Sequence, residues 1–350
     1  MITPTTQISP HENRQPLKKV LVVKTSSMGD VIHTLPALTD AARAIPGIRF
    51  DWVVEESFAE IPTWHPAVDR VITVAIRRWR KSLLQAWKSG EWQRFKKLMG
   101  AQSYDAVIDA QGLIKSAFLA RKAKGPRYGP DKHSAREPFA SHFYHHPQAV
   151  SWNQHAVERV RQLFALSLGY SLPDGPGHFQ LEKQPFRKDL VKETPYIVFI
   201  HSTTWPTKHW PESYWCKLAQ YASESGYSVV LPWGNEVEKA RAEKIAGAAK
   251  NARVLPRLSL AEVSGVISQA RAAVAVDTGL GHLTAALEVP AVSLYGPTSP
   301  DKVGTYGIGQ KHLTLKQCPE GEYAATDPEL FAPMTPEFVW KNLEECLSSR

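Results

Sequence analysis

Asp30 is the residue whose type and position best suit acid–base chemistry. It ends the segment K-T-S-S-M-G-D at residues 24–30, which follows an apolar run typical of a buried strand and precedes a helical pattern. In an open parallel sheet such a segment faces a ligand cleft, where Gly29 would let the backbone turn tightly. Asp30 could there act as a general base on an attacking hydroxyl, or it could simply cap the helix. Residue type and position leave both roles open.

A second turn, D-T-G-L-G-H-L at residues 277–283, suits a diphosphate. It also joins a predicted strand to a helix, whose start offers free N–H groups and the positive end of the helix dipole. The turn approximates G-x-G-x-x-G, but Thr284 occupies the third glycine position and no acidic residue follows at the spacing of a dinucleotide site. The sequence therefore favours a diphosphate over a dinucleotide, while His282 could also be a surface or core histidine.

Hydroxyl side chains and a lysine cluster at the end of the strand predicted at residues 196–200. Ser202, Thr203, Thr204 and Lys208 lie within ten residues of that strand. Hydroxyls and an ammonium group bind phosphate oxygens well. Since the strand belongs to the same predicted sheet as the one before Asp277, we expect both segments on one rim.

The positive charge of the chain is concentrated in its first half. Lys plus Arg total 42 and Asp plus Glu total 34, a net charge of +8, yet residues 77–97 alone hold eight basic residues against Glu91. The R-R-W-R-K run at residues 77–81, followed by Trp87, Trp92 and Phe95, suits a solvated helix face, an anionic membrane surface or a phosphorylated lipid. It could also suit a nucleic-acid backbone, but no recognition signature supports nucleic acid as a partner.

Several motifs are absent, and their absence narrows the chemistry. The sequence contains no D-x-D, H-E-x-x-H, G-x-S-x-G or P-loop, and its three cysteines are sparse and widely spaced. We therefore predict neither a metal site nor a cofactor nor a disulfide framework. No apolar run approaches the length of a membrane span and no export signal is evident, so we expect a cytoplasmic protein.

The predicted elements alternate between strand and helix in two blocks. Strands are predicted at residues 18–23, 49–54, 68–74 and 104–108, and again at 196–200, 227–231, 272–276 and 291–295. This alternation predicts an α/β fold of two Rossmann-like, doubly wound domains that face a central cleft. We assign residues 1–16 to a disordered extension, 17–172 to the N-terminal domain, 173–195 to a linker and 196–350 to the C-terminal domain.

Taken together, the motifs resemble a known enzyme family. V-K-T-S-S-M-G-D-V, V-A-I-R-R-W-R-K, Y-D-A-V-I-D-A-Q-G-L and V-D-T-G-L-G-H-L-T-A-A-L are similar to segments of the ADP-heptose glycosyltransferases of family 9, and the resemblance extends from about Lys19 into the last helix. It implies the GT-B fold, with the last helix packed back on the N-terminal domain.

The resemblance also implies roles for individual residues. Asp30 matches the catalytic base of the family. The positions that match its donor-binding residues are Thr203, Thr204, Lys208, Glu238, Leu258, Asp277, Thr278, Gly279 and His282. Those that match its acceptor-binding residues are Ser27, Arg77, Arg78, Arg80, Lys81 and Arg136. The chain departs from its relatives at residues 205–207, W-P-T, where they can carry charged residues.

The implied reaction is an inverting transfer of L-glycero-D-manno-heptose from ADP-L-glycero-β-D-manno-heptose to the Kdo of Kdo2-lipid A, in lipopolysaccharide inner-core synthesis. A later core acceptor is the nearer alternative, and a non-catalytic nucleic-acid-binding protein is the farther one. An amphiphilic, anionic acceptor would explain the basic, tryptophan-bearing segment. The resemblance therefore implies a peripheral protein on the cytoplasmic face of the inner membrane.

Overall fold

The computed structural model describes residues 19–81, 89–182, 190–192 and 195–348. The proposed extension at residues 1–16, Trp87 and parts of the proposed linker lie outside these ranges. Six parallel strands form a first sheet in the order β3-β2-β1-β4-β5-β6. They are β1 (Lys19–Val23), β2 (Arg49–Glu55), β3 (Val68–Val74), β4 (Ala106–Asp109), β5 (Arg127–Pro130) and β6 (His146–Gln148).

Helices cover both faces of this sheet because each crossover between parallel strands must pass over one face. They are α1 (Met28–Ile32), α2 (Leu35–Ala44), α3 (Glu60–Thr63), α4 (Ile76–Lys81), α5 (Glu91–Gly100), α6 (Ile114–Ala120) and α7 (Ala156–Leu168). Helix α7 packs on α2, where Arg161 donates from Nε to Asp40 Oδ2 at 2.6 Å in a buried ion pair.

A second sheet repeats this topology. Its order is β12-β11-β10-β7-β8-β9, which has the same connectivity as the first sheet when its strands are counted from β7. The strands are β7 (Tyr196–Ile200), β8 (Ser228–Leu231), β9 (Ala252–Val254), β10 (Ala272–Val276), β11 (Ala291–Tyr295) and β12 (Gln310–Thr314). The helices are α8 (Glu212–Glu224), α9 (Glu236–Ala246), α10 (Leu260–Ser268), α11 (Gly279–Ala286), α12 (Pro300–Val303) and α13 (Pro336–Ser348).

The two sheets confirm the predicted fold class, and the eight predicted strands are all present within two residues of their expected bounds. In each sheet the strand order reverses between the first and fourth strands, and ligands of open α/β sheets bind outside the carboxyl ends of strands at such a point. The segments after β1 and β4 thus face the segments after β7 and β10. The fold brings the turns around Asp30 and Asp277 to one cleft.

Other expectations were incomplete or wrong. Strands β5, β6, β9 and β12 and helix α7 were not predicted, and the helix expected from Asp30 to Ala44 is two helices, α1 and α2. The main contacts of the last helix lie within the second domain, and its packing on the first domain stays a prediction. Helix α13 packs against α8, β10, β11 and β12 of its own domain, where Val339 and Leu343 are fully buried.

Candidate active site

Asp30 is not the N-cap of α1. Ser27 holds that position with extended backbone angles, and Asp30 stands three residues later as the acidic partner of a capping box. The Ser27 backbone N–H donates to Asp30 Oδ2 at 2.9 Å, and the Ser27 hydroxyl donates to the same oxygen at 3.1 Å. Both capping bonds therefore fall on one carboxylate oxygen, and the other is left for a second function.

The second oxygen of Asp30 faces a buried lysine. Lys24 Nζ lies 3.4 Å from Asp30 Oδ1 and donates to the carbonyl oxygen of Ala110 at 2.9 Å. Burial alone would raise the pKa of Asp30, but the Lys24 charge and the hydrogen bonds from Ser27 outweigh it and keep that pKa below its ordinary value of 3.8. Asp30 is therefore ionised at neutral pH, and its side chain remains 33% exposed to the cleft.

A second charged pair stands across the cleft. Lys208 Nζ lies 2.5 Å from Asp277 Oδ2, and the Thr298 hydroxyl donates to the same oxygen at 2.8 Å. Thr203 ties the two segments together because its hydroxyl donates to the backbone carbonyl of Asp277 at 3.1 Å. Lys208 is thereby fixed beside the start of α11, where it can meet a phosphate group.

The starts of α1 and α11 pack against each other through two glycines. A Cβ placed on Gly29 would lie 2.5 Å from His282 Cδ2, and one placed on Gly279 would lie 2.7 Å from Met28 Sδ. Only glycine permits so close an approach, because real Cβ atoms are not found at these distances. The paired glycines bring the loop that carries Asp30 directly against the turn that carries His282.

Three histidines meet edge to face at this contact. The ring centroid of His33 lies 4.5 Å from that of His282 and 5.2 Å from that of His155, and His155 Nε2 lies 3.0 Å from the carbonyl oxygen of Gly304. Burial, more than any neighbouring charge, lowers the pKa of His282 to about 4 and lowers the pKa of His33 well below 6.5. His282 is therefore neutral at pH 7.

The cleft contains two cavities, which we call the first and second cavity after the sheet that each lies over. The second cavity, about 550 Å³, holds all of the predicted donor-binding residues. It is lined by Thr203, Thr204, Lys208, Glu238, Leu258, Asp277, Thr278, Gly279 and His282. The N-cap of helix α11 is Thr278, whose side chain makes no capping bond, so the helix start stays open to an anion. Glu238 is held by Gly234 and Asn235, which donate to its two oxygens at 2.7 and 2.8 Å.

The first cavity, about 580 Å³, lies over the first sheet and contains Asp30. Of the predicted acceptor-binding residues, only Ser27 and Arg136 line it. Arg77 instead lines the second cavity. Arg78 forms ion pairs with Glu56 and Glu91, both at 3.0 Å, and Arg78, Arg80 and Lys81 line neither of the two cavities.

The first cavity also contains residues that the sequence analysis missed. Arg159 lies over the ring of Trp152 at 4.1 Å, and its buried Nε has no hydrogen-bond partner among the described residues. Gln111 accepts the N–H groups of Thr25 and Ser26 at 3.1 and 3.3 Å, which shapes the loop before Asp30. Arg159 belongs to helix α7, and because that helix was not predicted, no signal in the sequence analysis placed this arginine at the site.

The arrangement can bind a diphosphate and deprotonate a hydroxyl beside it. Ser27, Gly29, Lys208, Asp277 and His282 line both cavities, so the cavity that contains the base adjoins the cavity of the donor-binding residues. Within the described ranges, no cluster of three or more His, Cys, Asp or Glu residues could hold a metal ion. In the same part of the chain, no helix is long and apolar enough to cross a membrane.

The sequence is similar to a known protein family and to curated relatives. The profile described as "Glycosyltransferase family 9 (heptosyltransferase)" matches residues 92–337. Lipopolysaccharide heptosyltransferase 1 of Pseudomonas aeruginosa is 61% identical over 296 residues, which cover 84% of this chain and 83% of that protein. The protein of the same name from Escherichia coli K12 is 53% identical over 294 residues, 83% of this chain and 92% of its own.

Two solved structures extend the similarity to the whole fold. The E. coli heptosyltransferase WaaC with ADP has a TM-score of 0.86 and 49% identity, and the match covers 94% of this chain and 99% of that one. The same E. coli enzyme with ADP-2-deoxy-2-fluoro heptose has a TM-score of 0.83 over 93% of this chain and 99% of its own, again at 49% identity.

Proposed function

This chain belongs to glycosyltransferase family 9, the heptosyltransferases, and from that premise we propose that it transfers L-glycero-D-manno-heptose from ADP-heptose to the Kdo of Kdo2-lipid A. The observation that carries the proposal is the position of Asp30. Its ionised carboxylate lines the first cavity, which shares Lys208 and Asp277 with the second cavity at the start of α11. The reaction takes place in lipopolysaccharide inner-core synthesis.

The second domain binds the donor in this proposal. ADP and ADP-fluoro-heptose are bound by the similar E. coli structures, and the second cavity offers the matching chemistry here. Thr203, Thr204, Lys208 and the start of α11 receive the diphosphate, Glu238 accepts a hydrogen bond from a ribose hydroxyl, and Leu258 contacts the adenine. Both Glu238 and Leu258 line the same cavity as Lys208, so one nucleotide sugar can reach all of them.

Asp30 acts as the general base. Its Oδ1 is free of capping bonds and receives the proton of the acceptor hydroxyl as that oxygen attacks the anomeric carbon. Because the pKa of Asp30 is low, the proton moves late, after bond formation has made the hydroxyl more acidic. Lys24 lies 3.4 Å from Oδ1 and is itself held by its bond to the carbonyl oxygen of Ala110, so it keeps the carboxylate oriented.

Direct displacement inverts the anomeric centre, since ADP departs from the face opposite the attacking oxygen. One carboxylate suffices, unlike the nucleophile and acid pair of a retaining hydrolase. Negative charge develops on the leaving diphosphate, where Lys208 and the N–H groups at the start of α11 stabilise it. Neutral His282 contributes packing against Gly29 rather than charge.

The first domain binds the acceptor. Arg136 and Arg159 both line the first cavity, and the nearby positive charge of Arg136 contributes to a lowered pKa of Arg159, whose chief cause is burial. Two cations on one wall suit the carboxylates of Kdo and the phosphates of an anionic lipid. Ser27 lines the same wall, beside Asp30.

Product analysis with ADP-heptose and Kdo2-lipid A tests the proposal directly. We expect one heptose on the Kdo of Kdo2-lipid A, with inverted anomeric configuration, and no transfer to an already heptosylated core. Transfer only to the heptosylated core would replace the acceptor assignment by that of a later-acting enzyme. We further propose a peripheral association with the anionic cytoplasmic face of the inner membrane, to be checked by salt-dependent binding to vesicles.

A further inference from the structure

The first domain carries an exposed surface that the catalytic proposal does not use. On α6 the outward positions are Ile114, Lys115, Phe118 and, just past its end, Arg121, so two apolar and two basic side chains share one helix face. Ile114 is 42% exposed and Phe118 is 43% exposed. An amphipathic face of this composition is typical of helices that lie on an anionic bilayer.

The segment after α6 continues the same surface. Phe139 is 58% exposed and lies 5.0 Å, between ring centroids, from His142 and 6.1 Å from Phe143. Together with Arg121 and Arg127, these three rings line a shallow cavity of about 360 Å³. We call Ile114, Phe118, Arg121, Lys122, Arg127 and Phe139 the basic aromatic face.

The cations of this face have no acidic partner among their described contacts. Arg121 lies over the Phe143 ring at 5.9 Å and Lys122 lies over the Phe118 ring at 4.3 Å. Arg127 donates from Nε to the carbonyl oxygen of Phe143 at 2.8 Å, and burial together with the Arg121 charge lowers its pKa. Residues 114–127 contain five Lys or Arg and no Asp or Glu, so the face attracts an anion.

The basic aromatic face also borders the first cavity. Ile114 follows the cavity residue Gln111 by three positions, and Phe139 follows the cavity residue Arg136 by three. Three residues span at most about 11 Å of chain. A lipid whose sugar end entered the first cavity would therefore leave its acyl chains close to this face.

We propose that the basic aromatic face docks on an anionic phospholipid bilayer, with Phe118 and Phe139 inserted among the acyl chains and Arg121, Lys122 and Arg127 on the lipid phosphates. The inference rests on the proposed function, since a lipid-linked acceptor gives the docking its purpose. It differs from the sequence-based expectation, which placed the membrane contact at residues 77–97. Trp92 joins the two regions, because its ring stacks on Phe118 at 6.4 Å and meets Trp79 at 6.0 Å.

Vesicle co-sedimentation of the full chain without substrates tests the docking surface. Wild-type protein is expected to bind phosphatidylcholine vesicles that contain phosphatidylglycerol and to bind pure phosphatidylcholine weakly. Arg121→Glu with Lys122→Glu should lower the partition coefficient at least about 20-fold, since each basic residue at such a surface contributes about fivefold. Phe118→Ser with Phe139→Ser should lower it about tenfold or more and should remove the part of binding that survives high salt.

Matched controls separate docking from general changes of charge or hydrophobicity. Lys250→Glu with Lys316→Glu changes the same charge at exposed sites of the second domain, and Ile308→Ser with Leu330→Ser removes two exposed apolar side chains there. Both controls should bind vesicles as the wild type does. Equal losses in the controls and the face variants would overturn the proposal, as would wild-type binding by the two face variants.

A water-soluble acceptor, the Kdo saccharide without acyl chains, distinguishes failure of the docking proposal from failure of the proposed enzymatic function. The face variants should transfer heptose to it at the wild-type rate and lose rate only on Kdo2-lipid A in vesicles. Loss on both acceptors would overturn the docking role. If no protein transfers heptose but the vesicle results hold, the proposed function fails and the docking surface stands. Retention of duplex DNA that depends on Arg121 and Lys122, with unchanged vesicle binding, would assign the face to nucleic acid instead.

Discussion

Replacement of Asp30 by asparagine separates catalysis from helix capping. The amide oxygen of Asp30→Asn can still accept both hydrogen bonds from Ser27, so the start of α1 is retained, but no base faces the acceptor. General-base catalysis supplies about 10²–10⁴-fold, which corresponds to about 3–5 kcal/mol of barrier. The free energy of unfolding should fall by only about 1–2 kcal/mol, which is less than the rise in the activation barrier, because the cap persists and the carboxylate is partly exposed.

The assay is heptose transfer at saturating donor, together with ADP binding by calorimetry. Asp30 does not line the second cavity, so the Kd for ADP should stay within about threefold of wild type while kcat falls. Glu262→Gln is the matched control because Glu262 occupies the equivalent capping position of α10, where it accepts the Ser259 N–H at 2.8 Å. A turnover of Asp30→Asn within tenfold of wild type would refute the assignment of the base.

A second variant, Lys24→Met, tests the electrostatics of the same pair. The Lys24 charge lowers the pKa of Asp30 while burial raises it, so removal of the charge must raise that pKa. The wild type should show no acid limb from Asp30 above about pH 4, and Lys24→Met should show one at higher pH. An unchanged pH profile of kcat would show that another group is the base.

Three further predictions concern Lys208 in the second cavity and the contact between Gly29 and His282, where the two domains meet. Lys208→Gln should lower kcat about 10²–10³-fold and weaken ADP binding, because it removes the cation beside the diphosphate; unchanged kinetics would contradict this role. Gly29→Ala should destabilise the fold by about 1–3 kcal/mol and lower kcat/KM, whereas Gly281→Ala, whose Cβ makes ordinary contacts from 3.4 Å, should be nearly neutral in thermal unfolding. His282 is buried with its pKa lowered to about 4, so between pH 6.5 and that value the unfolded chain binds a proton that the folded one does not. His282 alone should therefore account for about 2 kcal/mol of the stability in urea that is lost from pH 6.5 to pH 5, and the loss should be smaller by that amount in His282→Asn; equal losses would argue against a buried neutral ring.

The elements that were predicted are those with long apolar strands or strong helix boundaries. β1, β7, β10 and β11 are buried along nearly their whole length. Their sequences are therefore almost continuous apolar runs, which predict buried strands. β5, β6, β9 and β12 have few or no fully buried residues, so their short and partly polar sequences carry no such signal. Their pairing with neighbouring strands, rather than their own composition, makes them strands.

Some residues of the site could be predicted from the sequence, but the side chains that they contact could not. Loops at strand ends pointed to Asp30, Lys208 and Asp277, because parallel topology alone brings such loops to one cleft. The capping role of Ser27 and the ion pairs of Arg78 depend on side-chain geometry, so spacing could not distinguish them from ligand contacts. Arg159 was missed since its position depends on α7, whose contacts with α2 are far apart in the chain.

The repeated strand order has a consequence for how such enzymes can be rebuilt. Each half of the molecule is a complete six-stranded sheet with its own cavity, one beside β1 and β4 and the other beside β7 and β10. A chimera that joins this second half to another first half should keep its nucleotide sugar and change the molecule that receives the sugar. Such an exchange must also keep the contacts between the halves, which include Gly29 against His282, Met28 against Gly279 and His155 with the carbonyl oxygen of Gly304. Recombination of halves that match along this junction is therefore a route to new acceptor specificity.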